Sequence, residues 1–380
     1  MNFQKITDLP IDMVSGKRIL VRMDLNVPIQ GGMIADDFRI KKSEPLLSWL
    51  SKVGAKTIII SHLEDVYSKE GGLSSNRPIY DYLKQKFNIR FVENVDQAKE
   101  EEKELSDGDM ILLENLRFDD REKENNQDFA KELASLGDIY VNEAFSVSHR
   151  KHTSIVGVPK LLPAYAGPLF SAEVVNLSRV ENPDHPFLFV LGGAKFESKL
   201  PLIEKFVKIA DKVMVAGALA NDFFKSLGYE IGNSKVYGKI DLSSLSKNPK
   251  ILLPVDVVVW SDAGSITKLP QEVLPTDIIE DIGPKSLEML APMLESSKFI
   301  LWNGPLGNYE KGFRERTVKF AEMVSDAEGF SIVGGGDTTA VISHMDFEKK
   351  FGFVSTGGGA MLEFLEKGTL AGIEALKKTA

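Results

Sequence analysis

The feature that most limits what this chain can fold into is a repeated one: a short apolar run, a polar or glycine-bearing edge, then helical spacing. The run Phe187 to Leu191 shows it most clearly, breaking at Gly192-Gly193 and giving way to helical spacing through Phe206. Such a stretch reads as a buried strand, a tight turn and a helix entrance. Anions bind at entrances of this kind, because unpaired backbone N–H groups and the positive end of the helix dipole meet there. Lys195 and Lys199 stand four residues apart, a spacing that faces one way on a helix and would let both hold one polyphosphate. An ordinary strand-to-helix turn with two solvated lysines fits the same residues. Neither G-x-x-x-x-G-K-[ST] nor G-x-G-x-x-G occurs, so the common nucleotide motifs are excluded.

The same pattern recurs along the first half of the chain. Lys17 to Asp24 is a strand ending in Asp24-Leu25-Asn26-Val27-Pro28, where the proline stops it. Asp37 offers an N-cap to a helix running to Leu50, in which Pro45 must sit early or introduce a kink. Arg39 then falls in the first turn, where the dipole disfavours a cation, so an anion is expected in front of it. Lys56 to Ser61 delivers His62. Met110 to Leu113 leads into Glu114-Asn115-Leu116-Arg117, and Asp138 to Val141 into Asn142-Glu143-Ala144-Phe145. With helical spacing between them, these runs predict βαβα alternation and a parallel sheet. Ser148 to His152 is a compact basic cluster that suits a solvated loop. Together with Arg39, Arg117 and His62, its Arg150 could instead line one anion site, since three arginines on one face suit a phosphate and a carboxylate.

Length then sets the domain count. At 380 residues, two domains of somewhat under 200 each are expected. A helix within Gly167 to Asn182, closed by Pro183 and Pro186, is placed at their junction. Beyond it a second series predicts strands at Phe187 to Leu191, Lys212 to Val215, Ile251 to Trp260, Lys298 to Trp302, Ser331 to Val333 and Phe353 to Ser355. Its turns are small-residue edges: Asn303-Gly304-Pro305, Gly334-Gly335-Gly336 and Gly357-Gly358-Gly359. Each alone suits a tight turn, but with Gly192-Gly193 they make four in one domain, which points to backbone approaching phosphate. Asp337, next to Gly336 and before Thr338, would repel phosphate unless it held Mg²⁺.

Composition narrows the partners. Lys+Arg 46 against Asp+Glu 55 leaves a net charge of −9, which argues against nucleic acid or an anionic membrane as a partner. The absence of Cys removes thiolate metal sites, disulfides and thiol nucleophiles. The opening residues, MNFQKITDLPID, have no basic segment followed by an apolar one, and the chain reads as cytoplasmic.

In order along the chain, RMDLNVP (22–28), SHL (61–63), LLENLRF (112–118), NEAFSVSHRKH (142–152), LGGAKFESK (191–199), LPVDVVV (253–259), DIGP (281–284), WNGPLG (302–307), GGGDTT (334–339) and STGGGAMLE (355–363) closely resemble the phosphoglycerate kinase family. The resemblance spans essentially the whole chain. It implies a glycolytic, cytoplasmic, monomeric phosphotransferase moving a phosphoryl group between 1,3-bisphosphoglycerate/ADP and 3-phosphoglycerate/ATP with Mg²⁺. It also implies two α/β Rossmann-like domains, each a doubly wound parallel sheet, facing a cleft that closes about a hinge. Residues 1–166 would bind phosphoglycerate, 167–185 form the interdomain helix and 186–366 bind Mg-nucleotide, with 367–380 packing back on the first domain.

Carried over by motif, the resemblance implies a phosphoglycerate pocket of Asp24, Asn26, Arg39, His62, Arg117 and Arg150. On the nucleotide side it implies Lys195, Lys199, Gly335, Gly336 and Thr338 around the phosphates, Asp337 on the metal and Glu310 on the ribose hydroxyls. Gly217, Asn303 and Pro305 would be pocket walls, and Arg39, Lys195 and Gly336 would surround the migrating phosphoryl group. Three motifs depart from the family pattern: SHLEDV for the usual SHLGRP, NEAFSVSHR for NDAFGTAHR, and AGALA (216–220) for GGGMA. Asp65 thus stands where the family has a substrate-binding arginine, and Lys69 or Arg77 could replace that cation. A paralogue kept for binding or regulation, or a kinase of a related phospho-acid, are the alternatives this departure raises.

Overall fold

The computed structural model describes residues 3–65, 72–238, 241–345 and 347–377. The chain divides into two compact units, Met1–Val175 with Lys367–Ala380, and Asn176–Glu366.

The first unit contains β1 (Arg18–Arg22), the short hairpin β2 (Ile29–Gln30) and β3 (Met33–Ile34), β4 (Lys56–Ile60), the hairpin β5 (Glu64–Asp65) and β6 (Gly72–Leu73), β7 (Ile89–Val92), β8 (Met110–Leu113), β9 (Ile139–Asn142) and β10 (Ala164–Ala166). Six of these form a wholly parallel sheet in the order β10-β9-β1-β4-β8-β7. Parallel strands covered on both faces need apolar side chains on both, which is why MILL in β8 and IYVN in β9 are buried throughout. The path from β1 runs to β4 on one side and later to β9 and β10 on the other. The two directions part between β1 and β9, the kind of switch point where open α/β sheets receive ligands.

The helix Phe38–Lys52 buries Phe38, Ile40, Ser43, Leu46, Leu47 and Leu50, close to the apolar spacing expected, and carries Pro45 in its interior. Its cap differs from expectation. Asp37 takes the N-cap position without a side-chain bond to a backbone N–H of the first turn. Asp36 Oδ1 accepts from the Phe38 N–H at 2.8 Å instead, leaving Asp37 to Lys41 at 2.9 Å and Tyr82 at 3.1 Å.

The second unit contains β11 (Phe187–Leu191), β12 (Lys212–Val215), β13 (Ile251–Leu252), β14 (Val257–Ser261), β15 (Gly264–Lys268), β16 (Ile278–Ile282), β17 (Phe299–Asn303), β18 (Phe330–Gly334) and β19 (Phe353–Val354). Its main sheet is again six parallel strands, ordered β13-β12-β11-β17-β18-β19, with the switch between β11 and β17. Phe206, from the helix Leu200–Ile209, packs on the rings of Phe187 and Phe189, so this strand and helix share one core.

One predicted strand is not a single strand. The run Ile251 to Trp260 breaks after Leu252, and Val257–Ser261 belongs to a separate antiparallel sheet ordered β15-β14-β16. The cause lies in Pro254, which has no N–H for a ladder, and in Asp256, whose carboxylate turns aside. Asp256 caps the helix Pro284–Ser296, accepting from the Lys285 N–H at 3.0 Å and the Ser286 N–H at 2.8 Å. Beneath this sheet, Val257 and Val259 join Ala220, Phe224, Ile231 and Val273 in a small core of their own.

Candidate functional site

In the first unit the expected polar residues sit on loops at the carboxyl ends of β1, β4, β8 and β9. Asp24 and Asn26 follow β1, and Asn26 N–H donates to Asp24 Oδ1 at 3.2 Å. Arg39, in the first turn of its helix, places Nη1 3.0 Å from Asp24 Oδ2 and 3.1 Å from the Asn26 carbonyl. The anion in front of Arg39 is therefore Asp24, and the Ser146 hydroxyl donates to the same carboxylate.

His62 is buried at the end of β4. Arg22 Nη2 lies 3.1 Å from its Nδ1. A guanidinium can only donate, so Nδ1 is the acceptor and the imidazole proton resides on Nε2. Burial lowers the His62 pKa well below its ordinary value, and the positive charges of Arg22, Arg117, Arg150 and Arg39 push it the same way. Four guanidinium groups thus act on one neutral imidazole.

Arg22 escaped the sequence reading, although a charged residue closing an apolar strand was its signal. It is wholly buried, with Nε donating to Ser154 Oγ at 2.8 Å, and that hydroxyl donates to Glu122 Oε1 at 2.6 Å. Burial lowers the Arg22 pKa and raises that of Glu122. His152, near Glu122, is held down at about 4 by burial first and then by Arg117, Arg22 and Arg150.

Arg117 is fixed from its backbone, where its N–H donates to Asn115 Oδ1 at 3.0 Å. Its side chain is 0% exposed. Burial, then the neighbouring Arg150 and Arg22, lower its pKa to about 10 against the opposing charge of Glu64. Only Nη1 is bonded, to Glu64; Nε and Nη2 are buried without a partner among the described residues. Arg150 Nη1 stands 4.0 Å from the same Glu64 oxygen. The side chain of Asp65, and Lys69, lie outside the described residues. Arg77, an exposed residue, lays its guanidinium over the rings of Tyr80 and Phe91 at 5.2 and 5.0 Å.

The second unit gathers its small-residue edges at the carboxyl ends of β12, β11, β17 and β18. Gly192 N–H donates to the Asn303 carbonyl at 2.9 Å, Gly193 N–H to the Pro305 carbonyl at 2.9 Å and Gly217 N–H to the Leu306 carbonyl at 3.0 Å. These segments touch so closely that glycine is required. A Cβ on Gly192 would lie 2.1 Å from the Pro305 carbonyl oxygen, and Gly217, at φ +62°, would place one 2.7 Å from Gly193 N.

Lys195 and Lys199 do not share a helix face. The helix starts at Leu200, and both lysines precede it in the turn, Lys195 exposed and Lys199 buried. Pro201 in the first turn is compatible with so late a start. Lys199 Nζ donates to the Gly192 carbonyl. Burial lowers its pKa to about 8, Asp337 opposing and Lys195 assisting the shift.

Gly335, at φ +105°, precedes the helix Gly336–His344. Nothing lies within 4 Å of where a Gly336 Cβ would be, so this backbone is open in front. Thr338 is buried, its hydroxyl without a partner among the described residues. Burial raises the Asp337 pKa and Glu310 raises it further, while Lys199 and Lys195 oppose the rise. Asn303, also buried, turns its amide toward Met361 Sδ at 3.6 Å.

A cavity of about 530 Å³ opens here, within the range of small-molecule sites. Gly193, Lys195, Gly217, Pro305, Glu310 and Asp337 line it, with Ala220, Phe224, Val257 and Ile279 making an apolar wall. Lys199, Asn303, Gly335, Gly336 and Thr338 are not among the residues that line it. The wall residue Val257 and the neighbouring Glu280 come from the antiparallel sheet that the sequence reading missed. Glu280 holds Asn308 Nδ2 at 2.7 Å and Lys311 Nζ at 2.9 Å, fixing the segment that carries Glu310.

Among the described residues no cluster of three or more His, Asp and Glu could hold a metal unaided. A lone carboxylate beside open backbone and an unpartnered hydroxyl fits Mg²⁺ that arrives with phosphate, since that ion keeps its waters and takes few protein ligands. Also among the described residues, no helix is long and apolar enough to cross a membrane.

Two parallel sheets, one edged with buried guanidinium groups and the other with glycine turns and lysines, define a phosphotransferase scaffold. The family profile described as phosphoglycerate kinase matches residues 6–368. The chain belongs to the phosphoglycerate kinase family. It is 40% identical over 390 residues to the phosphoglycerate kinase of Dictyoglomus turgidum, covering 98% of each chain. It is 39% identical over 379 residues to that of Thermus thermophilus, covering 95% of this chain and 97% of the relative. Among solved structures, phosphoglycerate kinase from Coxiella burnetii is similar at a TM-score of 0.82 and 35% identity, and that from Pyrococcus horikoshii at 0.85 and 30%, each with 98% of both chains covered.

Proposed function

We propose that this chain moves a phosphoryl group reversibly between ATP and the carboxylate of 3-phosphoglycerate, yielding ADP and 1,3-bisphosphoglycerate, as a step of glycolysis. The observation that carries the reading is the convergence of Arg22, Arg39, Arg117 and Arg150 on neutral His62. Two buried guanidinium groups, Arg22 and Arg117, beside the partly exposed Arg39 and Arg150, in a chain of net charge −9, call for a small, highly charged anion. In this reading Arg39, Arg117 and Arg150 neutralise the substrate, His62 donates from Nε2 and Asn26 closes the pocket. Asp24 has a different task, holding Arg39 in place until substrate arrives.

On the nucleotide side, the apolar wall of the cavity takes the base and Glu310 the ribose hydroxyls. Lys199, Thr338 and the backbone at Gly335 and Gly336 take the phosphates. Asp337 would hold Mg²⁺, which when bound neutralises phosphate charge. A carboxylate oxygen of the acceptor attacks the γ-phosphorus, and the bond to the β,γ-bridging oxygen breaks as ADP leaves. An ionised carboxylate has no proton to surrender, so no general base is needed and cations such as Lys195 and Arg39 do most for the reaction. A coupled assay with 3-phosphoglycerate, ATP and Mg²⁺ tests this, with saturable turnover expected. No turnover, together with no calorimetric binding of 3-phosphoglycerate, would overturn it.

A further inference from the structure

We infer that Glu64 is an internal competitor of the acceptor substrate: its carboxylate already occupies the anion position on Arg117 and Arg150, and phosphoglycerate must displace it to bind. The inference rests on the reading of the first unit as the phosphoglycerate site.

Several contacts set the carboxylate there. The Glu64 N–H donates to Asn26 Oδ1 at 2.9 Å, its strand β5 pairs with β6 through Glu64 and Leu73, and the Ser74 N–H donates to the Leu63 carbonyl at 3.3 Å. The segment is thus tied on both sides. From it the side chain reaches Arg117 Nη1 and stands 4.0 Å from Arg150 Nη1. The two partners differ in freedom. Arg117 is 0% exposed and wedged in place, whereas the Glu64 side chain is 39% exposed. An incoming anion therefore finds a fixed cation already neutralised by a group that can swing out to water. Its departure frees Nη1 of Arg117 for the ligand, while Nε and Nη2 are buried and unpartnered among the described residues.

Competition of this kind acts on phosphoglycerate and not on nucleotide. Glu64→Gln removes the rival charge and nearly keeps the shape. Calorimetry with 3-phosphoglycerate should then show a Kd lower by at least about tenfold, given that like charges set side by side cost several kcal/mol. The Kd for ADP should stay within about twofold, because Glu64 lies in the other unit. Steady-state kinetics should show the same split, a lower KM for 3-phosphoglycerate beside an unchanged KM for ATP. The ligand-free variant should melt lower, having left Arg117 without its partner, yet gain a larger Tm shift from 3-phosphoglycerate. An unchanged or higher Kd in a folded Glu64→Gln would overturn the inference, because Glu64 would then serve only to hold Arg117. Arg117→Lys separates the two levels of the argument. If it weakens 3-phosphoglycerate binding while Glu64→Gln leaves it unchanged, only the role of Glu64 is wrong. If Arg117→Lys binds as the parent does, the site reading falls and the role of Glu64 falls with it.

Discussion

Lys199 should make nucleotide binding take up a proton. Its ammonium is buried against the Gly192 carbonyl, and burial brings its pKa to about 8. A lysine with a lowered pKa is charged below that value and neutral above it. Polyphosphate placed beside it restores the charge, so the pKa rises on binding and affinity must fall as pH climbs through 8. The charged fraction of free Lys199 drops from about nine-tenths at pH 7 to about one-tenth at pH 9, so the Kd for ADP should rise by about tenfold across that interval. At pH 8.5 each ADP bound should draw in roughly three-quarters of a proton, the share of Lys199 that is neutral beforehand. Titration calorimetry in two buffers of unlike ionisation enthalpy at pH 8.5 reads that number directly. Lys199→Met should bind more weakly at pH 7 and take up no proton. Equal enthalpies in both buffers for the parent chain, or uptake that survives in Lys199→Met, would refute the argument.

Asp337→Asn should abolish the Mg²⁺-dependent part of nucleotide affinity and leave metal-free ADP bound at least as well, since the carboxylate repels bare phosphate; calorimetry with and without Mg²⁺ separates the two. Lys195→Ala should leave ADP affinity within about tenfold but lower kcat by at least about 10², because an exposed charge counts most where negative charge develops. A large rise in Kd with normal kcat would show it to be a binding residue instead. Glu143 is buried, accepts from the Leu169 and Phe170 N–H groups at 3.1 and 3.2 Å, and has its pKa raised by burial from the ordinary 4.5 to about 8. Between those values the unfolded chain loses this proton while the folded one keeps it, so stability falls as pH rises, by at most about 1.4 kcal/mol per pH unit. Urea melts at pH 5.5 and 7.5 should therefore show Glu143→Gln losing up to about 2.7 kcal/mol less than the parent over that step, and parallel losses would remove Glu143 as the cause.

The two parallel sheets were legible because a strand buried on both faces has few ways to be written. FLFVL, MILL and IYVN leave little else to form, and in a parallel sheet their polar ends must share an edge. The failures came where local spelling is ambiguous. ILLPVDVVVW reads as one apolar run, yet Pro254 and Asp256 divide it between two sheets, and the signal was a carboxylate needed by a helix about 30 residues further on. Lys195 and Lys199 have helical spacing but stand outside the helix, so periodicity misread a turn. Arg22 had a signal in its place at the end of an apolar strand, but its role and that of Glu64 depend on partners 40 and 53 residues away. The acid at position 64 was visible as a departure; that it seats itself on Arg117 is a fact of three dimensions.

The helix Ala371–Leu376 belongs to the first unit, where Ala371 and Ala375 pack on Ala144, Val147, Ile155 and Val156, and Gly372 N–H donates to the Ser148 carbonyl at 2.8 Å. That patch lies under the loop bearing Ser146, which donates to Asp24. During synthesis, the second unit, an unbroken stretch of chain, has all its residues before the first does. That patch is completed only when residues in the 370s leave the ribosome. A nascent chain halted before them would carry a complete second unit and an unfinished first one, so a fully packed first unit marks a chain translated at least that far.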